Sequence, residues 1–153
     1  MEDINIIKSD IIGETINDFW KNDYDFSRYD SHKPVLVISL VYEKGSVEEN
    51  AILKIVQACK LSDDSYQIMQ LHSEEKLLWA TIIERINAQA VILLGVHPQQ
   101  LGISALFSLN DINHYASCVF IPALWVTQME QQPELKRQLW TQALKPYFID
   151  QQK

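Results

Sequence analysis

Two uninterrupted apolar runs, VLVISLVY at 35–42 and AVILLGV at 90–96, limit what this chain can fold into more than any other feature. A strand with one wet face alternates apolar and polar residues, whereas an unbroken run is a strand buried on both faces. Such strands need covering layers, and the stretches between the runs supply them. After Gly45, Ser46 and Glu49 form a capping box, in which each side chain can satisfy the other's backbone N–H. The helix predicted from there to about Lys60 carries Val47, Ala51, Ile52, Ile55, Val56 and Cys59 on one face. SDDS ends it, and YQIMQL at 66–71 reads as a second, shorter strand. Ser73 then caps another helix, with Glu74 and Glu75 in its first turn and Leu77, Leu78, Ile82 and Ile86 as its inner stripe. Strands alternating with helices in this order demand parallel pairing and right-handed crossovers.

Further along, PQQLGIS reads as a short helical turn, NDINHY as a loop and ASCVFIP (116–122) as a fourth buried strand. After another loop, PELKRQLWTQALKPYF is the last helix, with Pro133 in its first turn, where a missing N–H costs nothing. Leu135, Leu139, Ala143 and Leu144 should face inward with Trp140 at their flank, and Pro146 should fray the end. The expectation is an α/β three-layer sandwich around a mostly parallel four-stranded sheet, one domain over residues 33–153.

The formal charge of −7 is concentrated at one end. Residues 1–32 hold Glu2, Asp3, Asp10, Glu14, Asp18, Asp23, Asp25 and Asp30 against Lys8, Lys21 and Arg28, which leaves the body close to neutral. Within this segment Ile11, Ile12, Ile16, Phe19 and Trp20 fall near helical spacing and predict a short amphipathic helix. Tyr24, Phe26 and Tyr29 follow, separated by acids and polar residues. Such aromatics either cover an apolar patch of the body or dock on another protein. Phe19, Trp20, Tyr24, Phe26 and Tyr29 are therefore the candidate partner-binding residues.

The acidity argues against broad phosphate contact, which needs a basic face. Lys136, Arg137 and Lys145 on the last helix would form only a small one. No apolar run reaches the ~20 residues of a membrane helix, and the acidic start is unlike a leader peptide. Two distant cysteines, Cys59 and Cys118, fit no disulfide framework and no metal site, so a reduced, cytoplasmic protein is expected.

Ligands of open α/β sheets lie beyond the carboxyl ends of the strands. Ser39, Tyr42 and Glu43 stand there after the first strand, His72 after the second, His97 after the third and Trp125 after the fourth. Glu43 and His97 would be the acid–base pair of an enzyme, although no third residue that would orient His97 is evident. No Gly-rich phosphate loop, dinucleotide fingerprint or nucleophile elbow occurs, and His72, His97 and His114 lack metal-ligand spacing. No cofactor or metal is expected.

Two stretches, AQAVILLGVHPQQLGI and FIPALWVTQMEQQPELKRQLWTQAL, resemble the uracil-DNA glycosylase fold, particularly its iron–sulfur branch. With the first strand and helix the resemblance covers roughly residues 34–148. The departures from that family are in its chemistry. Its turn after the first strand has a Gly-Glu-Ala-Pro-like sequence; here it reads SLVYEKGS. Its histidine precedes the proline of the C-terminal block, where this chain has Ile121. Its iron–sulfur branch uses four cysteines, against two here. An isoleucine cannot stabilise a departing uracil anion. The chain is similar, in length, order of elements, FIPAL, the Leu-Trp helix and ACKLSDDSYQIMQL, to a non-catalytic branch of that fold, the psi-type subunits of bacterial DNA polymerase III. That resemblance implies a protein-interaction subunit of a clamp-loader or other replication assembly. It also implies that residues 1–32 serve as the tether. A hydrolytic or glycosylase-like enzyme using Glu43 and His97 is the alternative.

Overall fold

The computed structural model describes residues 24–152. Phe19, Trp20 and the helix expected around them lie outside the described residues. The elements run β1 (Val35–Leu40), α1 (Val47–Ala58), β2 (Tyr66–Leu71), α2 (Trp79–Arg85), β3 (Ala90–Leu94), a 3-10 turn (Pro98–Leu101), β4 (Asn113–Tyr115), β5 (Cys118–Ala123), α3 (Val126–Glu130) and α4 (Pro133–Leu139). From α4 the chain winds on as a π-helix over Trp140–Ile149.

The unbroken apolar runs take the centre of the sheet, whose order is β2-β1-β3-β5-β4. Strands β2, β1, β3 and β5 are parallel, and β4 lies antiparallel on the outside of β5. The register aligns Ile68, Val37, Ile92 and Ile121 in one row across the sheet. The next row is Met69, Ile38, Leu93 and Pro122. Neighbouring rows face opposite ways, because successive side chains of a strand alternate. Val37, Ile92 and Ile121 join a core with Ile52, Val56, Met129, Leu139, Leu144 and Phe148 under α1, α3, α4 and the π-helix. Ile38, Leu93 and Met69 join a second core with Leu77, Trp79, Ile82, Leu101 and Phe120. The fold is α/β, with a mostly parallel sheet between two covering layers.

The sheet has five strands rather than four. The extra one, β4, comes from NHY in the stretch expected as a loop. Ala116 and Ser117, expected at the start of the following strand, form the two-residue turn instead, both at positive φ (51° and 67°). That conformation is what a tight hairpin needs and what residues other than Gly, Asn and Asp rarely supply, which hid the hairpin. Pro122 is accommodated inside β5 because β4 pairs only as far as Phe120. The β4-facing edge of β5 needs no N–H at 122, and the Pro122 carbonyl accepts the Asn110 N–H at 2.8 Å.

Two helix expectations change. The second helix starts at Trp79, not Ser73. Residues 72–78 are held open by tertiary hydrogen bonds: Leu77 N–H to the Gln100 carbonyl at 2.9 Å, and Gln100 Nε2 to the carbonyls of His72 (3.1 Å) and Glu75 (2.9 Å). The last helix does not fray at Pro146 but continues to Ile149. Asp150 N–H bonds the Lys145 carbonyl five residues back. This wider winding relieves the clash of a proline ring with the carbonyl four residues earlier, while Ala143, Leu144 and Phe148 stay buried on the sheet.

Candidate functional site

At the carboxyl ends of the strands, Leu40, Gly95 and Trp125 converge. Gly95 has φ +75°, and a Cβ there would stand 2.9 Å from Trp125 Cβ and 3.1 Å from Leu40 Cδ1. The ends of β1, β3 and β5 are thus packed against one another. Ser39 is fully buried, its Oγ donating to the Leu40 carbonyl at 3.0 Å. Tyr42 is half-buried with its N–H on Gln70 Oε1 (3.0 Å), and burial raises its phenol pKa. Glu43 is exposed and its carbonyl takes the Ser46 N–H. Ser46 Oγ accepts from Glu49 N–H as the capping box requires, but Glu49 Oε1 returns to Gly45 N–H (2.7 Å) instead of to Ser46. Trp125 is half-buried, just ahead of α3.

His97 is exposed at the start of the 3-10 turn. Its N–H goes to Gln100 Oε1 at 3.1 Å and its carbonyl takes the Gln100 N–H at 2.9 Å. No hydrogen bond or ion pair joins it to Glu43. His72 is exposed as well, with its N–H on Glu75 Oε1. Three surface grooves are lined by none of Ser39, Tyr42, Glu43, His97 and Trp125.

The residues that organise this end of the molecule are amides. Gln100, 5 % exposed, joins the 72–77 loop to the turn after β3 through three side-chain bonds. Asn110, 1 % exposed at φ +58°, directs Nδ2 at the Leu135 carbonyl and Gln138 Oε1, both 3.3 Å away, and leaves Oδ1 without a protein partner. Buried amides must find such partners because unpaired polar atoms cost about 1–3 kcal/mol each.

Of the candidate partner-binding aromatics, Tyr24, Phe26 and Tyr29 pack on the second core. Their rings lie 5.1–6.3 Å apart, centroid to centroid. The Tyr24 and Tyr29 hydroxyls hydrogen-bond at 2.9 Å, and Tyr24 reaches the Gln70 carbonyl at 3.4 Å. Burial, then the Tyr29 hydroxyl, drives the Tyr24 phenol pKa far up. Arg85 stands over the Phe26 ring at 5.6 Å. Asp30 and Gln67 exchange two bonds, Asp30 N–H to Oε1 (2.9 Å) and Nε2 to the Asp30 carbonyl (2.6 Å), which fasten the segment to the outer strand β2.

On the opposite face a groove of about 570 Å³ runs between α1 and α3–α4. Ala51, Ile55, Val126, Met129, Leu139 and Trp140 give it an apolar floor, and Glu48, Lys54, Glu130 and Lys136 stand among the lining residues. Val47, expected on the inner stripe of α1, is 74 % exposed beside it. The three cations of the last helix each meet an acid: Lys136 with Glu130 at 2.8 Å, Arg137 with Glu134, Lys145 with Asp150 at 3.7 Å. Lys136 holds the Glu130 carboxyl below its usual range.

Both cysteines are buried, and burial pushes the Cys59 thiol up to about 12. Among the described residues no group of three His, Cys, Asp or Glu could hold a metal ion, and no helix is long and apolar enough to cross a membrane. Comparison with known proteins finds no matching family model, no matching curated protein and no matching solved structure.

The sequence reading missed the groove and the Gln100 tie. A signal for the groove was present: Val47, Ala51 and Ile55 repeat every four residues beside Ile52, Val56 and Cys59, an apolar arc wider than one buried stripe. Gln100 carried none, since its partners are carbonyls about 25 residues away.

Proposed function

We propose that this chain is a non-catalytic interaction subunit, psi-like, serving a bacterial DNA replication assembly of the clamp-loader kind. One observation carries the reading. Ile121, at the position where the resembled glycosylases have their histidine, is fully buried in the core under the helices. No imidazole or carboxylate takes its place, and Glu43 and His97 are exposed and unconnected. A scaffold with a filled strand end holds partners better than it turns over substrate. The paired cations of the last helix weigh against nucleic acid as that partner, because a carboxylate beside each one offsets its pull on phosphate.

Within the acidic segment, the residues that remain for a partner are Phe19 and Trp20. Tyr24, Phe26 and Tyr29 are engaged with the body. The test mixes the full chain with purified clamp-loader subunits and follows co-elution. A complex is expected, and Phe19→Ala with Trp20→Ala should weaken it without changing the thermal midpoint. No complex at tens of micromolar, or uracil release from single-stranded DNA that disappears in His97→Ala, would overturn the reading.

A further inference from the structure

We infer that the outer edge of β2 pairs antiparallel with β2 of a second copy of this chain, running one sheet through both molecules. The pairing goes beyond the replication reading, which places its partner on Phe19 and Trp20.

The two edges of the sheet are finished differently. β4 is three residues long and ends in the tight turn at Ala116 and Ser117. A short edge strand is one of the ways proteins prevent strand addition. Among the described residues β2 is the outermost strand on the other side, with six residues, YQIMQL, in unbroken register with β1. It has no charge, no proline and no bulge, the devices that blunt an edge.

The direction of its backbone groups follows from one bond. The Val35 N–H takes the Ser65 carbonyl at 3.0 Å, so Gln67, Met69 and Leu71 are the β2 residues that bond β1. Tyr66, Ile68 and Gln70 therefore turn both N–H and C=O outward. The Tyr24 hydroxyl, which reaches the Gln70 carbonyl at 3.4 Å, confirms that direction and leaves that oxygen a second lone pair. Along this edge lies a hollow of about 520 Å³, with Gln67, Ile68 and Gln70 in its lining.

The outward set is its own complement. A two-fold axis at Ile68 sets Ile68 opposite Ile68 and Tyr66 opposite Gln70, and each such pair can exchange both N–H···O bonds. No like charges meet across the axis, because the strand has none. Tyr66 and Ile68 pack on the first core while staying only half-buried, and the second copy covers their open sides with the same residues. A single strand pair lies below the ~1,200 Å² of stable complexes, so the dimer is a weak one.

The test measures amide exchange of the full chain at about 10 µM and about 0.5 mM. Exchange at Tyr66, Ile68 and Gln70 should be about threefold slower at the higher concentration, while Gln67, Met69 and Leu71, already bonded to β1, stay unchanged. Ile68→Pro removes only an outward N–H, which an edge strand tolerates. While keeping the native circular dichroism, it should weaken dimerisation at least about tenfold in sedimentation equilibrium, and Ile68→Val should not. Exchange independent of concentration would overturn the pairing, and if those three amides were already slow at 10 µM the occupant would be this chain's own residues. Concentration-dependent slowing elsewhere but not at these alternate residues, or a folded Ile68→Pro that dimerises normally, would overturn it too.

Discussion

Of the two faces of this sheet, one is roofed by α1, α3, α4 and the π-helix, and the other by a single seven-residue helix, a 3-10 turn, loops and the Tyr24–Tyr29 segment. Helices satisfy most of their backbone groups internally, so the first face needs little beyond apolar contact. Loops do not, and every carbonyl they bring toward a core needs a donor. The second face accordingly holds most of the long-range side-chain ties, Gln100 to His72 and Glu75, Tyr24 to Gln70 and Gln67 to Asp30, while Asn110 supplies those that reach α4. It also holds most of the aromatic packing, with Phe120 touching Trp79, Phe107 and Tyr115 at centroid distances of 5.0–5.9 Å. The groove is on the helical face and the chain's attachment on the other.

The largest test of this contrast is Phe120→Ala. It removes the fully buried centre of the aromatic cluster and should cost about 3–5 kcal/mol in urea unfolding. Leu144→Ala on the helical face, at about 2–5 kcal/mol, is the comparison. The contrast predicts that only Phe120→Ala also speeds amide exchange in residues 24–33 and 104–112. Uniform exchange changes in both variants would mean that the two layers unfold as one.

Gln100→Leu comes next, with an expected loss of about 1–3 kcal/mol from carbonyls left without their donor. Proteolysis should then cut first within 72–78, and a variant that resists it would show that the loop does not depend on the amide. Phe26→Ala should cost about 1–2 kcal/mol, being half-buried. A change within error would place the aromatic segment outside the folding unit. Smallest and opposite in sign, Ala116→Asn with Ser117→Gly should stabilise by about 1 kcal/mol, relieving two left-handed residues in the β4–β5 turn. Loss of stability would mean that the turn conformation is other than described.

Much of the helical face could be read in advance. Ile52, Val56, Leu139, Ala143 and Leu144 were expected inward and are buried, because their spacing answers to one local period. The loop-covered face was less legible. Ser73, with acids behind it, has every local mark of a helix start, yet Gln100 draws the backbone of 72–77 into loop bonds. The candidate site was legible only as a list of strand ends. That three of those ends crowd together depended on Gly95, whose missing Cβ leaves room for Trp125 and Leu40 beside it.

The residues alone determined the buried parallel strands, their alternation with amphipathic helices and the concentration of acid in the first 32 positions, since each follows from neighbours along the chain. Only the tertiary structure decided where the second helix begins, that a fifth strand pairs antiparallel at the edge, that Tyr24, Phe26 and Tyr29 pack against the second core, and that a groove opens beside α1. These features depend on contacts between residues far apart in sequence, and no local pattern specifies which distant carbonyl or ring a side chain will meet.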